Sequence, residues 1–313
     1  MAGRAHVIAL TLPYPFDLHF MQRALIAGVA VGVFAPMIGT FLVQKRMSLI
    51  GDGIGHIAFA GVGAGFLAQS GVIAGVALGL GPVWMALVFA VAGSLGIEWL
   101  RSRRRASGDL ALALFFYSGI ALGVVLMSLG GGLNASVLTY LFGQPLTVSA
   151  QEVVLIVSLG AAIVVAMLVL RRVLFAVVTD EDWSNVAGLP VGLVNNVLAV
   201  ITAVAVVAAM QIVGILLIAA MMVLPVASGQ LLARSFAGTM RWAVAIGVAS
   251  VVAGLAASRI WDLAPGGTIV LLAAGVFMVV ALVTRRVGGR VPMIEPYAPD
   301  EPGAPSHEGA HAG

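Results

Sequence analysis

Apolar residues run along most of this chain in stretches of about twenty, and the polar residues are gathered into the short gaps between them. Nine such stretches fall at about 20–43, 49–69, 72–99, 109–130, 150–172, 192–210, 211–233, 240–259 and 266–284. A helix rises about 1.5 Å per residue, so roughly 20 residues cross the hydrocarbon layer of a bilayer. Backbone N–H and C=O groups find no water there and must pair within the span, which selects helices. The pattern predicts an all-α fold, a polytopic transmembrane helix bundle of about nine spans over residues 20–286. An N-terminal segment, 1–19, precedes it, and a tail, 287–313, follows. The separation of the sixth stretch from the seventh rests on the mildly polar break at Met210–Gln211.

The basic residues sit at the ends of these stretches. They are Lys45–Arg46; Arg101, Arg103, Arg104 and Arg105; Arg171–Arg172; Arg234 and Arg241; and Arg285–Arg286 with Arg290. With nine spans all five groups fall on one side, which the positive-inside rule makes the cytoplasm. The N-terminus is then outside and the C-terminus inside a plasma (inner) membrane. Composition agrees. The chain is 61% hydrophobic and 9% charged, against roughly 25% charged in a soluble domain. Its net charge of +3 is spent on topology, and no nucleic-acid partner is expected.

Two segments outside the spans stand out. An external loop opens at Gly130–Gly131–Gly132–Leu133–Asn134 and continues through Leu141–Phe142–Gly143–Gln144–Pro145, with an apolar middle able to dip back into the membrane. The tail is rich in Pro, Gly, Ala and acidic residues and is read as disordered, with His307 and His311 solvated. The stretch from Met1 to His19, with Arg4, Asp17 and several prolines, reads as a short surface segment, not a secretory signal.

Much chemistry is excluded. There is no cysteine, hence no disulfide, thiolate metal site or cysteine nucleophile. No phosphate-binding loop G-x-x-x-x-G-K-[ST] occurs, nor a G-x-S-x-G nucleophile elbow. The chain is expected to be a transport subunit, not an enzyme, and any ATP it uses must be hydrolysed elsewhere.

The candidate transport residues are Asp52 and His56, in the glycine-rich run from Gly51 to Gly61. Four residues apart, they share one helix face. Carboxylate and imidazole suit Zn²⁺, Mn²⁺ or Fe²⁺, and ionisable groups within a span mark pathways. The spacing equally allows Asp52 to start the helix and pair with Lys45 or Arg46, with His56 as an interhelical hydrogen-bonder. A second candidate is the polar segment Thr179, Asp180, Glu181, Asp182 … Ala187, Gly188, Leu189, Pro190. Thr179 followed by three acids predicts the start of a short helix, Gly188 its end, and the whole a docking element for a cytoplasmic partner. Asp109 reads as a helix-start residue, Glu98 as the partner of a nearby arginine, and Pro225 as a kink.

Lys45-Arg46-Met47 followed by Gly51-Asp52 and His56 resembles the R-R-M-x-L-x-G-D-x-x-S-H segment of the zinc/manganese/iron ABC transporter permeases. Asp180-Glu181 with Ala187-Gly188-Leu189-Pro190 is similar to that family's cytoplasmic coupling segment. Gln211 to Leu217, Leu224-Pro225 and Leu231 to Arg234 also follow the family pattern. The likeness covers about residues 20–285. Gly55 stands where the family has Ser, and Phe59-Ala60-Gly61 where Leu-Pro-Gly is common. The resemblance implies a homodimeric permease served by a separate ATP-binding subunit and an extracytoplasmic metal-binding protein. It implies that Asp52 and His56 of two protomers line the pathway of a transported metal, zinc or manganese, with no permanently bound cofactor. A cation transporter or channel working without an ATPase, and a permease for a chelated metal, are the competing readings.

Overall fold

The computed structural model describes residues 14–69, 81–103, 108–130, 135–144 and 148–287. Among them every regular element is a helix: α1 His19–Gln44, α2 Ile50–Gln69, α3 Pro82–Ser102, α4 Gly108–Leu129, α5 Ala135–Phe142, α6 Ala150–Thr179, α7 Glu181–Val186, α8 Val191–Met210, α9 Ile215–Leu232, α10 Phe236–Trp261 and α11 Pro265–Val287. Eight are long and apolar enough to cross a membrane, and α9 contributes a shorter apolar stretch, Leu217–Leu232. Each of the nine expected spans is therefore a helix.

The boundaries follow local chemistry. Gly81 and Pro82 open α3, proline supplying its fixed φ where no N–H is needed. Ser149 and Glu152 form a capping box at the start of α6, and Ser235 caps α10 through the Gly238 N–H. The start of the expected span 72–99 falls in 70–80, which lies outside the described residues, and α9 and α10 begin four residues from expectation, at Ile215 and Phe236. Helix α6 runs seven residues past Arg172, to Thr179, because Leu174, Val177 and Val178 are buried in the core and continue its packed face. The apolar middle of the external loop is the short helix α5, and Gln144 N–H donates to the Gln211 carbonyl at the α8–α9 turn. Residues 131–134, Pro145, Arg104, Arg105, and the tail from 288 with Arg290, His307 and His311 lie outside the described residues.

Helix α2 is the centre of the bundle, packed against α3, α4, α8 and α9, while α1 packs against α6, α9 and α10. In its most apolar stretch 83% of α2 is buried, against 17% for α11 and 22% for α4. The outer helices thus present apolar faces outward, as lipid permits, and the central helix carries the candidate site. Close approach is bought with small residues. A Cβ on Gly61 would lie 2.6 Å from the Met85 carbonyl oxygen of α3, so only glycine fits that crossing.

Candidate functional site

Asp52 lies in the first turn of α2 and His56 one turn further on. The His56 Nε2 is 3.7 Å from the Asp52 Oδ1, an ion-pair distance but too long for a hydrogen bond. His56 is 7% exposed. Its ring meets Phe116 of α4 edge-on, with centroids 4.3 Å apart. Gly119 of α4 lets the two helices touch there: a Cβ on it would lie 2.9 Å from the His56 carbonyl carbon. Asp52 is the more open of the pair. It lines a pocket of about 290 Å³ with Leu49, Asp109, Leu112, Ala113, Phe116 and Tyr117. Asp109, in the first turn of α4, adds a second carboxylate to that wall. Among the described residues no three His, Asp or Glu side chains converge as a metal cluster.

Asp52 is not held by Lys45. The Lys45 ammonium turns instead toward α7 and α8. It lies 3.1 Å from Glu181 and donates to the Asn195 Oδ1. Glu181 is also 3.0 Å from Arg101 and accepts from Asn195 Nδ2 at 2.9 Å. Arg101 in turn holds Glu98 at 2.7 Å, as expected for Glu98. This hub ties the ends of α1 and α3 and the start of α8 to α7. It also sets depth: Lys45, just beyond α1, and Asp52, just inside α2, lie at the same end of the molecule as α7. His56 is six residues into α2, about 9 Å along its axis.

The charges of the hub do not share one simple pairing. Burial alone pushes the Glu181 carboxyl up, but the hydrogen bond from Arg101, the Lys45 charge and the Asn195 amide together hold it down to about 2. Lys45 is also lowered, by burial first and then by the Arg101 charge, against the pull of Glu98 and Glu181. Both partners shift down for different reasons: burial, helped by the Arg101 charge, disfavours the Lys45 ammonium, while Arg101, Lys45 and Asn195 stabilise the Glu181 carboxylate.

The polar segment folds as a capped turn. Asp180 is the N-cap of α7, accepting from the Trp183 N–H at 2.9 Å. Thr179, expected to start this helix, closes α6 instead and donates to the Phe175 carbonyl. At the other end the Gly188 N–H donates to Asn185 and the Leu189 N–H to Ser184, with Gly188 at φ +78°, the left-handed closure that favours glycine. Pro190 then precedes α8. Ala187 and Gly188 are exposed, as is Asp182.

Residues 17–284 match the ABC 3 transport family. The chain belongs to that family. The manganese import system permease protein ScaB of Streptococcus parasanguinis is 31% identical over 263 residues, covering 84% of this chain and 90% of the relative. The high-affinity zinc uptake system membrane protein ZnuB of Haemophilus influenzae is 28% identical over 256 residues, covering 82% and 94%. Among solved structures, PsaBC from Streptococcus pneumoniae in complex with Fab matches with a TM-score of 0.72 and 30% identity, over 84% of this chain and 91% of that one.

As an ABC 3 transport protein the chain is a multi-pass membrane permease, and its helices carry functional candidates that sequence reasoning passed over. Asp109, a helix-start residue by sequence, also shares the Asp52 pocket. Trp183 and Val186 are 62% and 89% exposed on α7, a large apolar surface for so short a helix. Their signal was present: two bulky apolar residues in a six-residue helix lack a core to face. Glu181, by contrast, faces the hub more than the outside.

Proposed function

We propose that this chain is the membrane-spanning permease subunit of an ATP-driven importer of a divalent metal, manganese or zinc. Two copies would form the pathway, each contributing Asp52 and His56. A cytoplasmic ATP-binding subunit would dock on α7, and an extracytoplasmic metal-binding protein would deliver the ion. The observation that carries this reading is the Asp52–His56 pair, buried on the central helix against α4 and open on the Asp52 side to a carboxylate-bearing pocket. Carboxylate oxygen and imidazole nitrogen are the donors that Mn²⁺ and Zn²⁺ accept. One protomer supplies too few donors to close a shell, and two copies double them. The relatives named for manganese and zinc uptake support the same cargo class.

The absence of a phosphate-binding loop means that uphill transport needs an outside source of free energy. The hub offers a route for it. A partner that moves α7 pulls on Glu181, and through it on Lys45, which ends the helix leading into Asp52. Rigid elements with two packings transmit such motion.

The test is uptake of radiolabelled manganese and zinc by cells carrying the chain with its ATP-binding and metal-binding partners. Asp52→Ala and His56→Ala should each abolish uptake while insertion and dimer mass stay normal. Wild-type uptake by both variants would remove the pair from the pathway. Uptake that persists without the ATP-binding subunit would favour a transporter working alone.

A further inference from the structure

A groove opens on the outer side of the bundle, away from Asp52, between α1, α6 and α10. It encloses about 500 Å³, and its wall is built from Met37, Phe41, Met167, Phe175, Phe236 and Met240. Phe236 is set edge-on between Phe41, at 4.9 Å, and Phe175, at 5.0 Å. Arg171 and Arg172 line the same groove. A polar recess of about 470 Å³ adjoins it through Phe175, Ser235 and Phe236, and brings in Arg234, Thr179 and Gln230. Neither lining contains a carboxylate. Among the described residues no hydrogen-bond or ion-pair partner is found for Arg171, Arg172 or Arg234.

Depth places this groove at a bilayer boundary. Arg171 is 21 residues from Ala150, the start of α6, which is about 32 Å of helix against a hydrocarbon layer of about 30 Å. Met37, Met167 and Met240 therefore lie at acyl-chain depth, and Arg171 and Arg172 at headgroup depth with Phe175 and, in the adjoining recess, Arg234. The N-terminal turn of α10, which starts at Phe236, adds a dipole that favours an anion. Val165, Leu168 and Val169 of α6 are exposed beside the groove, so it is open to the lipid side.

We propose that this groove is a binding site for an anionic phospholipid, with an acyl chain along Met37, Phe41, Met167 and Met240 and the phosphate held by Arg171, Arg172 and Arg234. Charge complementarity decides the occupant. Three unpartnered cations beside a dry apolar trough match an anion joined to a hydrocarbon chain, and basic recesses at the cytoplasmic ends of spans bind such headgroups. The lipid would wedge α6 against α10 and α1, next to the α6–α7 junction.

The test uses the purified full-length permease, exchanged in detergent against phosphatidylglycerol or phosphatidylcholine and weighed by native mass spectrometry. Wild type should retain phosphatidylglycerol preferentially. Each single arginine-to-glutamine substitution should lower that preference roughly threefold to fivefold, and R171Q/R172Q/R234Q should bring it near parity. The corresponding lysine variants should keep most of it, which separates loss of charge from loss of fold. Met240→Trp should reduce retention by filling the trough, and millimolar inorganic phosphate should not displace the lipid. Equal retention of both lipids by wild type overturns the proposal, as does an unchanged preference in the triple glutamine variant. Displacement by phosphate would mark a free-anion site instead. A triple variant that loses dimer but not lipid would make a second copy the occupant.

Discussion

The Lys45 ammonium stands 3.1 Å from the Glu181 carboxylate, joining the end of α1 to the short helix between α6 and α8. The Lys45 side chain is 6% exposed and that of Glu181 35%. Breaking a buried pair costs roughly 3–5 kcal/mol, but the exposure of Glu181 and its other partners reduce this to about 2 kcal/mol for Glu181→Gln. Thermal unfolding of the purified protein should show that loss. The double variant Lys45→Met/Glu181→Gln should lose less than the sum of the two single variants.

The same carboxylate predicts a pH window. Glu181 is held at about 2 in the fold, below the roughly 4.3 of a free glutamate. Its stabilisation is therefore fully present above about pH 4.3 and drains away as pH falls toward 2. Fluorescence from a variant keeping Trp183 as its only tryptophan should report loosening of α7 in that interval and stay flat at neutral pH. Glu181→Gln should remove the dependence.

Gly119 permits the contact that buries His56. Gly119→Val would push side-chain carbon into the His56 backbone, an overpacking expected to cost about 1–3 kcal/mol. The expected result is a lower unfolding temperature together with lost metal uptake. Unchanged uptake would show that the α2–α4 contact at His56 is dispensable.

The two faces of α7 should separate by experiment. Trp183→Ala and Val186→Asp alter exposed side chains, so stability should hold while co-purification of the ATP-binding subunit and coupled uptake fall. Gly188→Val instead strains a left-handed residue by about 1–2 kcal/mol with open space around its Cβ. It should disturb the turn after α7 and leave the bundle intact, and Gly188→Asn should be milder because asparagine tolerates that backbone. Binding and transport that survive Trp183→Ala, Val186→Asp and Gly188→Val would exclude α7 as the coupling element.

Reporter fusions test the orientation. Fusions after Arg105, Arg172 and Arg286 should all report cytoplasm, and one external result would break the N-outside, C-inside arrangement.

Helix class and span number were legible in the sequence because both depend on local quantities. Twenty apolar residues in lipid have one way to satisfy their backbone, so the apolar runs themselves mark the spans. The Asp52–His56 face was legible for the same reason, since four-residue spacing on a helix is local geometry. So was the closure at Gly188. Thr179 was misplaced because Asp180 beside it is an equally good cap, and the choice fell to Leu174, Val177 and Val178, whose burial carries α6 onward. Only the tertiary structure decided that Lys45 meets Glu181 and Asn195 and leaves Asp52 to His56, that Asp109 of α4 joins the Asp52 pocket, and that a groove lined by Arg171 and Arg172 of α6 adjoins a recess lined by Arg234 of the α9–α10 turn. Those partners lie far apart in the chain. A charge in a low-dielectric interior takes whichever partner the packing brings near, and helix packing in a membrane is set by glycine contacts such as Gly61 and Gly119, whose meaning depends on the surface opposite.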